Sequence, residues 1–211
     1  MSREKRVIKS SLYDDLLLSS YIDKAYGCAC NHGFHEKELS LPHVMMLVIS
    51  EVGEMVEADR KMKKANVSLF EFNAKSPQPK DRELEHRMFC FKEFVKDSFE
   101  DEMSDVAIRI FDICGMRGIK GLSLKEPTLP WDGFRGFVES HNVCECCYEL
   151  VGMLSRLDYS DVSKEELRDV LNFAFCFLVV MSEVKGIDLK RHIELKMEFN
   201  ESRPMRNGKA Y

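Results

Sequence analysis

Apolar positions recur at helical spacing through most of the chain, and each such stretch predicts a helix. Leu12 to Tyr26 is the first, ended by "GCACNHG". The second spans "SLPHVMMLVISEVGEMVEADRKMKK", with Ser40 as its N-cap and Pro42 in the opening turn, where a missing N–H costs nothing. "NAKSPQPKD" makes residues 66–81 a loop, and Glu83 to Gly118 holds one helix or two, stopped by Gly118. "KEPTLPWDG" reads as a linker. Phe137 to Leu157, Leu167 to Lys185 and about Asp188 to Asn200 follow as helices, with Gly186 capping the second of these. The expected fold is an all-α helical bundle. Residues 1–125 form one half, 126–136 a linker and 137–211 a second half, together one compact domain.

A weak internal repeat supports the two halves. "HVMMLVISEVGEM" aligns without gaps on "HNVCECCYELVGM", matching His43 with His141, Glu51 with Glu149 and Met55 with Met153. Downstream, "DEMSDV" resembles "EELRDV". The expectation is a duplicated, degenerate pair of antiparallel helices.

The apolar pattern is interrupted at one informative place. Val44 to Ile49 carries no charge, and then Glu51 and Glu54 appear three positions apart, on one helix face. A second pair with the same spacing, Glu102 and Asp105, lies between Phe99 and Val106. If the two helices pack antiparallel, four carboxylates converge at the edge of a core. Clustered like charges in a low dielectric cost several kcal/mol unless neutralised. A divalent cation removes that cost, and carboxylates with water suit Mg²⁺, or Mn²⁺ in its place. The same residues admit a plainer reading. Acid pairs at this spacing are common on solvated helices, Asp105 has Arg109 four residues on, and Glu57 has Lys61.

Composition narrows the classes. Only 11 Gly and 6 Pro in 211 residues favour helices over a strand-and-turn fold. A net charge of −5 argues against a nucleic-acid polymer as partner. "MSREKRVIKSSLYDD" lacks the apolar core of a signal peptide, and "FAFCFLVVM" is about half a membrane span, so a cytoplasmic chain with no membrane partner is expected. The eight cysteines then read as thiols, because only one CxxC pair, Cys144 with Cys147, is present for a zinc site that wants two.

The ordered set ExxE, then ExxD opening an apolar helix that ends in Gly-Ile, resembles the MazG-like members of the all-alpha NTP pyrophosphatase superfamily. The segments that carry the resemblance are "NHGFHEKEL", "SEVGEMVEADRK", "KDSFEDEMSDVAIRIFDICGMRGI" and "HIELKMEFNESRPMRNGKAY". It implies that Glu51, Glu54, Glu102 and Asp105 hold Mg²⁺. The implied reaction cleaves a nucleoside triphosphate between the α and β phosphorus, with Glu51 and Glu54 as the catalytic pair, one of them taking the proton of the attacking water. It also implies a homodimer, for which the apolar face of Phe173 to Met181 would be a reason. The second half has Gly152 where Glu54 would fall and keeps Glu149, Glu166 and Asp169, so one active and one structural half are expected. Lys196, Asn200 and Arg203, at i, i+4 and i+7, present a stripe suited to a polyphosphate, to which Lys209 would add; it is equally an ordinary charged helix end. Asn31, Phe34 and His35 are the candidate base pocket, and His43 and His141 read as core histidines. The competing expectation is an inactive helical interaction or regulatory module. A di-iron bundle would need two ExxH pairs, and only "ELEH", Glu83 to His86, fits.

Overall fold

The computed structural model describes residues 13–126, 128–159 and 161–205. Among these, all long-range order is helical and no strand occurs. The helices are α1 (Asp15–Asn31), α2 (Leu41–Arg60), α3 (Val67–Ala74), α4 (Glu83–Phe94), α5 (Phe99–Met116), α6 (Trp131–Ser140), α7 (Val143–Ser155), α8 (Lys164–Lys185) and α9 (Leu189–Glu201).

Local chemistry accounts for most of the boundaries. The Ser98 hydroxyl accepts the Asp101 N–H and starts α5, whose first turn holds Glu100, Asp101 and Glu102 against the positive end of the helix dipole. Capping boxes open α7 (Asn142 with Glu145) and α8 (Ser163 with Glu166). Gly186 ends α8 in the left-handed conformation, φ 72°. Ser40 sits at the N-cap of α2, but its hydroxyl makes no capping bond.

Helix α5 is the centre of the molecule. It packs on α1, α2, α8 and α9, burying Phe99, Met103, Val106, Ala107, Ile110 and Phe111. Helix α8 supplies the other main wall, and the Phe111 and Phe175 rings meet edge to face at 5.0 Å. The apolar run expected to need a second copy is covered within the chain itself, since Ala174 to Met181 are all buried. Among the described residues, no single helix is long and apolar enough to cross a membrane.

The sequence reading needs correction at four places. Helix α1 runs on through Gly27 to Asn31 instead of stopping at Tyr26. Residues 66–81 are not a continuous loop. The Asn66 side chain accepts the Leu69 N–H and starts α3, where Phe70 joins Phe91, Leu195 and Phe199 in a small second core; the Phe91 and Phe199 rings stack at 4.4 Å. The expected 126–136 linker overlaps α6, because Phe134 packs edge to face on Phe177 at 5.2 Å. The expected helix from Phe137 to Leu157 is broken after Ser140, where the Asn142 cap restarts the chain as α7. Glu83 to Gly118 is two helices, separated by a turn in which Asp97 is left-handed, φ 57°.

The α1–α5 contact is tight at Gly115, where an added Cβ would lie 2.3 Å from the Tyr26 Cβ. Gly115→Ala gains about 1 kcal/mol of helix propensity, yet forces a Cβ against another Cβ that cannot rotate away. The clash prevails. Urea unfolding is expected to show a net loss of about 2 kcal/mol, and a stabilised variant would refute the close approach.

Candidate functional site

Helices α1, α2, α5 and α9 enclose a cleft of about 410 Å³. Its floor is acidic. Glu51 and Glu54 come from α2 and Glu102 from α5, and one oxygen of each lies within 4.8 Å of the others. Asp105 lines the same cleft, but its Oδ2 is 2.6 Å from the Lys196 ammonium. The structure therefore brings three of the four expected acids together and gives the fourth to a lysine.

Each carboxylate has a different environment. Glu51 is buried and accepts from Arg109 Nε at 3.1 Å. Burial, and then the Asp105 charge, raise its pKa, and Arg109 only partly offsets them. Glu102 is 4% exposed, and its carboxylate has no hydrogen bond or ion pair among the described residues. Burial followed by repulsion from Asp105 pushes its pKa up to about 8. Glu54 is exposed to the cleft and likewise unpaired among the described residues. Two unpaired carboxylates and one half-compensated carboxylate thus face one another. That donor set fits a hard divalent cation, which prefers carboxylate oxygen.

The expectation that Asp105 pairs with Arg109 gives way to an exchanged arrangement. Arg109 reaches across to Glu51, and Lys196 serves Asp105. Lys196 is only 4% exposed, and its ammonium also donates to Asp101 Oδ2 at 2.8 Å. Burial would lower the pKa of a lone lysine, but Asp105 and Asp101 hold it above its ordinary value. Lys196, read from sequence as a polyphosphate contact, lines the cleft with its ammonium held by Asp101 and Asp105. Asn200 and Arg203 line the cleft as the spacing predicted, with Arg203 Nη1 donating to Asn200 Oδ1 at 3.1 Å. Lys209 lies outside the described residues.

Asp101 is the main residue that sequence reasoning missed. It is 1% exposed, and its Oδ2 accepts both the Lys196 ammonium and the Asp97 N–H, the latter at 2.9 Å. Burial pushes its pKa up to about 6 in spite of Lys196. No spacing rule could have joined Asp101 to a lysine 95 positions away. Lys24 also lines the cleft, exposed and without an ion pair among the described residues. His32 was passed over for its neighbours.

The candidate base pocket is divided. Phe34 lines the main cleft. His35 does not line it; its Nε2 is 2.7 Å from Asp112 Oδ1, and its ring lies over Tyr26 at 5.1 Å. Asn31 is exposed at the end of α1. His141 is half-buried and stacks on Phe137 at 3.9 Å. His86 contacts the Asn73 carbonyl, so it is engaged by α3.

Among the described residues the second half builds no equivalent acidic floor. Glu166 is spent on the α8 capping box, Glu149 lies 3.7 Å from Arg156, and Asp169 holds the guanidinium of neighbouring Arg168. No cysteine joins a candidate metal cluster among the described residues. Comparison of the chain with protein-family models, with curated proteins and with solved structures finds no match.

Glu102 generates a pH dependence with a definite sign. Its folded-state pKa, about 8, lies above the ordinary 4.5. Between those values the folded protein keeps a proton that the unfolded chain has lost, so stability falls as pH rises through the window and levels off above it. In the presence of chelator, thermal melts should lose several degrees between pH 5 and 8, corresponding to about 1–4 kcal/mol. Glu102→Gln should flatten that loss; an equally steep variant would show that Glu102 is not its source.

Proposed function

We propose that the cleft binds Mg²⁺ and hydrolyses a nucleoside triphosphate between the α and β phosphorus, releasing a monophosphate and pyrophosphate. The observation that carries this reading is the convergence of Glu51, Glu54 and Glu102 within 4.8 Å at the floor of a cleft bordered by Lys24 and Arg203. An acidic floor that calls for a divalent cation, beside cations that suit an anion, is the arrangement phosphoryl chemistry needs. The resemblance of the ordered ExxE and ExxD segments to MazG-like proteins supports the same reading.

Glu51, Glu54 and Glu102 would hold the ion, with Asp105 beside them. Bound there, the ion supplies charge neutralisation to a phosphoryl group and acidity to water. Arg109 bonds Glu51 and orients it, which leaves the unpaired, exposed Glu54 as the group placed to accept a proton from water. Lys196 holds the Asp105 side of the floor in position, while Arg203 and Lys24 offer charge to the outer phosphates. Phe34 offers an aromatic face at the cleft wall for a base. The same resemblance favours a homodimer as the working form.

One observation favours a second reading, an inactive interaction module: Glu51 and Asp105 already have Arg109 and Lys196 as partners. The two readings separate in one experiment. Purified protein with Mg²⁺ and a panel of NTPs and dNTPs should release pyrophosphate, and chelator should abolish the reaction. Glu51→Gln and Glu54→Gln are each expected to lower kcat/KM by about 100-fold or more. An unchanged Glu51→Gln rate would reject this assignment of the site. No turnover, together with no Mg²⁺-dependent rise in Tm, would favour the module.

A further inference from the structure

The outer rim of the cleft is held by a residue with no part in the acidic floor. His32 is the C-cap of α1, and its ring lies between two backbone carbonyls. Nδ1 is 2.7 Å from the Cys28 carbonyl oxygen, and Nε2 is 2.8 Å from the Arg203 carbonyl oxygen, in the segment just past α9. A carbonyl oxygen can only accept, so each of these two bonds requires a proton on the ring nitrogen that makes it, Nδ1 toward Cys28 and Nε2 toward Arg203. Cys28 sits one turn back on α1, its thiol 3.6 Å from Nδ1, and backs the ring from that side.

The bond joins chain positions 171 apart, and both residues line the cleft. Helix α9 ends at Glu201, and Pro204 bars it from continuing. A chain leaving a helix end moves freely unless something ties it down. Here the tie falls on the backbone of Arg203, whose side chain lines the cleft, bonds Asn200 and lies over the Phe199 ring at 5.8 Å.

We propose that His32 is a positioning residue that straps the end of α9 across the cleft and so sets where the Arg203 guanidinium meets a polyphosphate. The proposal rests on reading the cleft as a triphosphate site. His32 touches no phosphate itself and acts through the Arg203 backbone. Two consequences follow. Losing the strap weakens anion binding but leaves the floor intact, and it matters only while residue 203 carries a guanidinium.

The test uses the full chain with Mg²⁺ and two readouts, calorimetric binding of inorganic triphosphate and turnover of the best nucleoside triphosphate. His32→Ala is expected to raise the triphosphate Kd and the nucleotide KM about tenfold, with kcat changed less than about twofold. His32→Gln should recover most of this, because its amide nitrogen can stand where Nε2 stands and donate to the same carbonyl. His32→Asn, which reaches only the Nδ1 position, should resemble His32→Ala. In an Arg203→Ala background, which retains the carbonyl, His32→Ala should have no further effect. Additive losses in that background would overturn the proposal, as would failure of glutamine to rescue or a fall in kcat alone. If wild type binds triphosphate with this His32 dependence but hydrolyses nothing, the strap stands and the catalytic reading falls. If wild type binds no triphosphate, both fall.

Discussion

Lys196 lies on α9 with almost no exposed surface, and an ammonium so placed is tolerable only if carboxylates replace its water. Two do so, Asp101 and Asp105, one turn apart on α5. Removing either side of such a group typically costs about 3–5 kcal/mol, because a buried charge is left without a partner. The pairing therefore fixes the register of α9 against α5, and much else follows from it. Asn200 and Arg203 are carried on the same helix and its exit, so their place over the cleft is inherited from the lysine's. Asp101 can serve only because α5 starts where it does, with Ser98 capping it and the left-handed Asp97 turning its N–H back to the Asp101 carboxylate.

The same constraint explains the imbalance of charge on the cleft floor. The two fixed cations, Lys196 and Arg109, are committed to Asp105 with Asp101 and to Glu51. Among the described residues no cation pairs directly with Glu102, which is desolvated and next to Asp105, and the Lys196 charge offsets this only in part. Glu54 remains in contact with solvent, where its charge costs little. The result is a graded acidic floor in which Asp105 is paired with a cation and Glu102 is not, in a cleft that Lys24 and Arg203 also line.

The remaining helices support this arrangement from two sides. Helices α6, α7 and α8 complete the main core behind α5, and the acids of the second half are used for caps and surface pairs. The α3–α4 pair meets α9 through Phe70, Phe91, Leu195 and Phe199, and the Phe91 ring lies 5.9 Å from the Lys196 ammonium, beside the ion pairs to α5. Helix α9 is thus held by an aromatic cluster and, next to it, by the buried ion pairs of Lys196.

Much of this was legible in the chain. Helical periodicity gave the all-α class, and caps with chemical signatures, such as Gly186, located the ends of helices. The two acid pairs were visible because same-face spacing is a property of a single helix, and so was the Asn200–Arg203 stripe. What failed was of two kinds. Short elements such as α3 and α6 owe their existence to rings packed against distant helices, so local composition read them as loop and linker. The partnerships of Lys196 with Asp101, Arg109 with Glu51, and His32 with the Arg203 carbonyl join residues 58 to 171 positions apart. Sequence by itself determined which residues share a face, because that depends on backbone geometry within one helix. Only the tertiary structure decided which charge neutralises which, because at bond distance an ion pair is chosen by the packing of different helices.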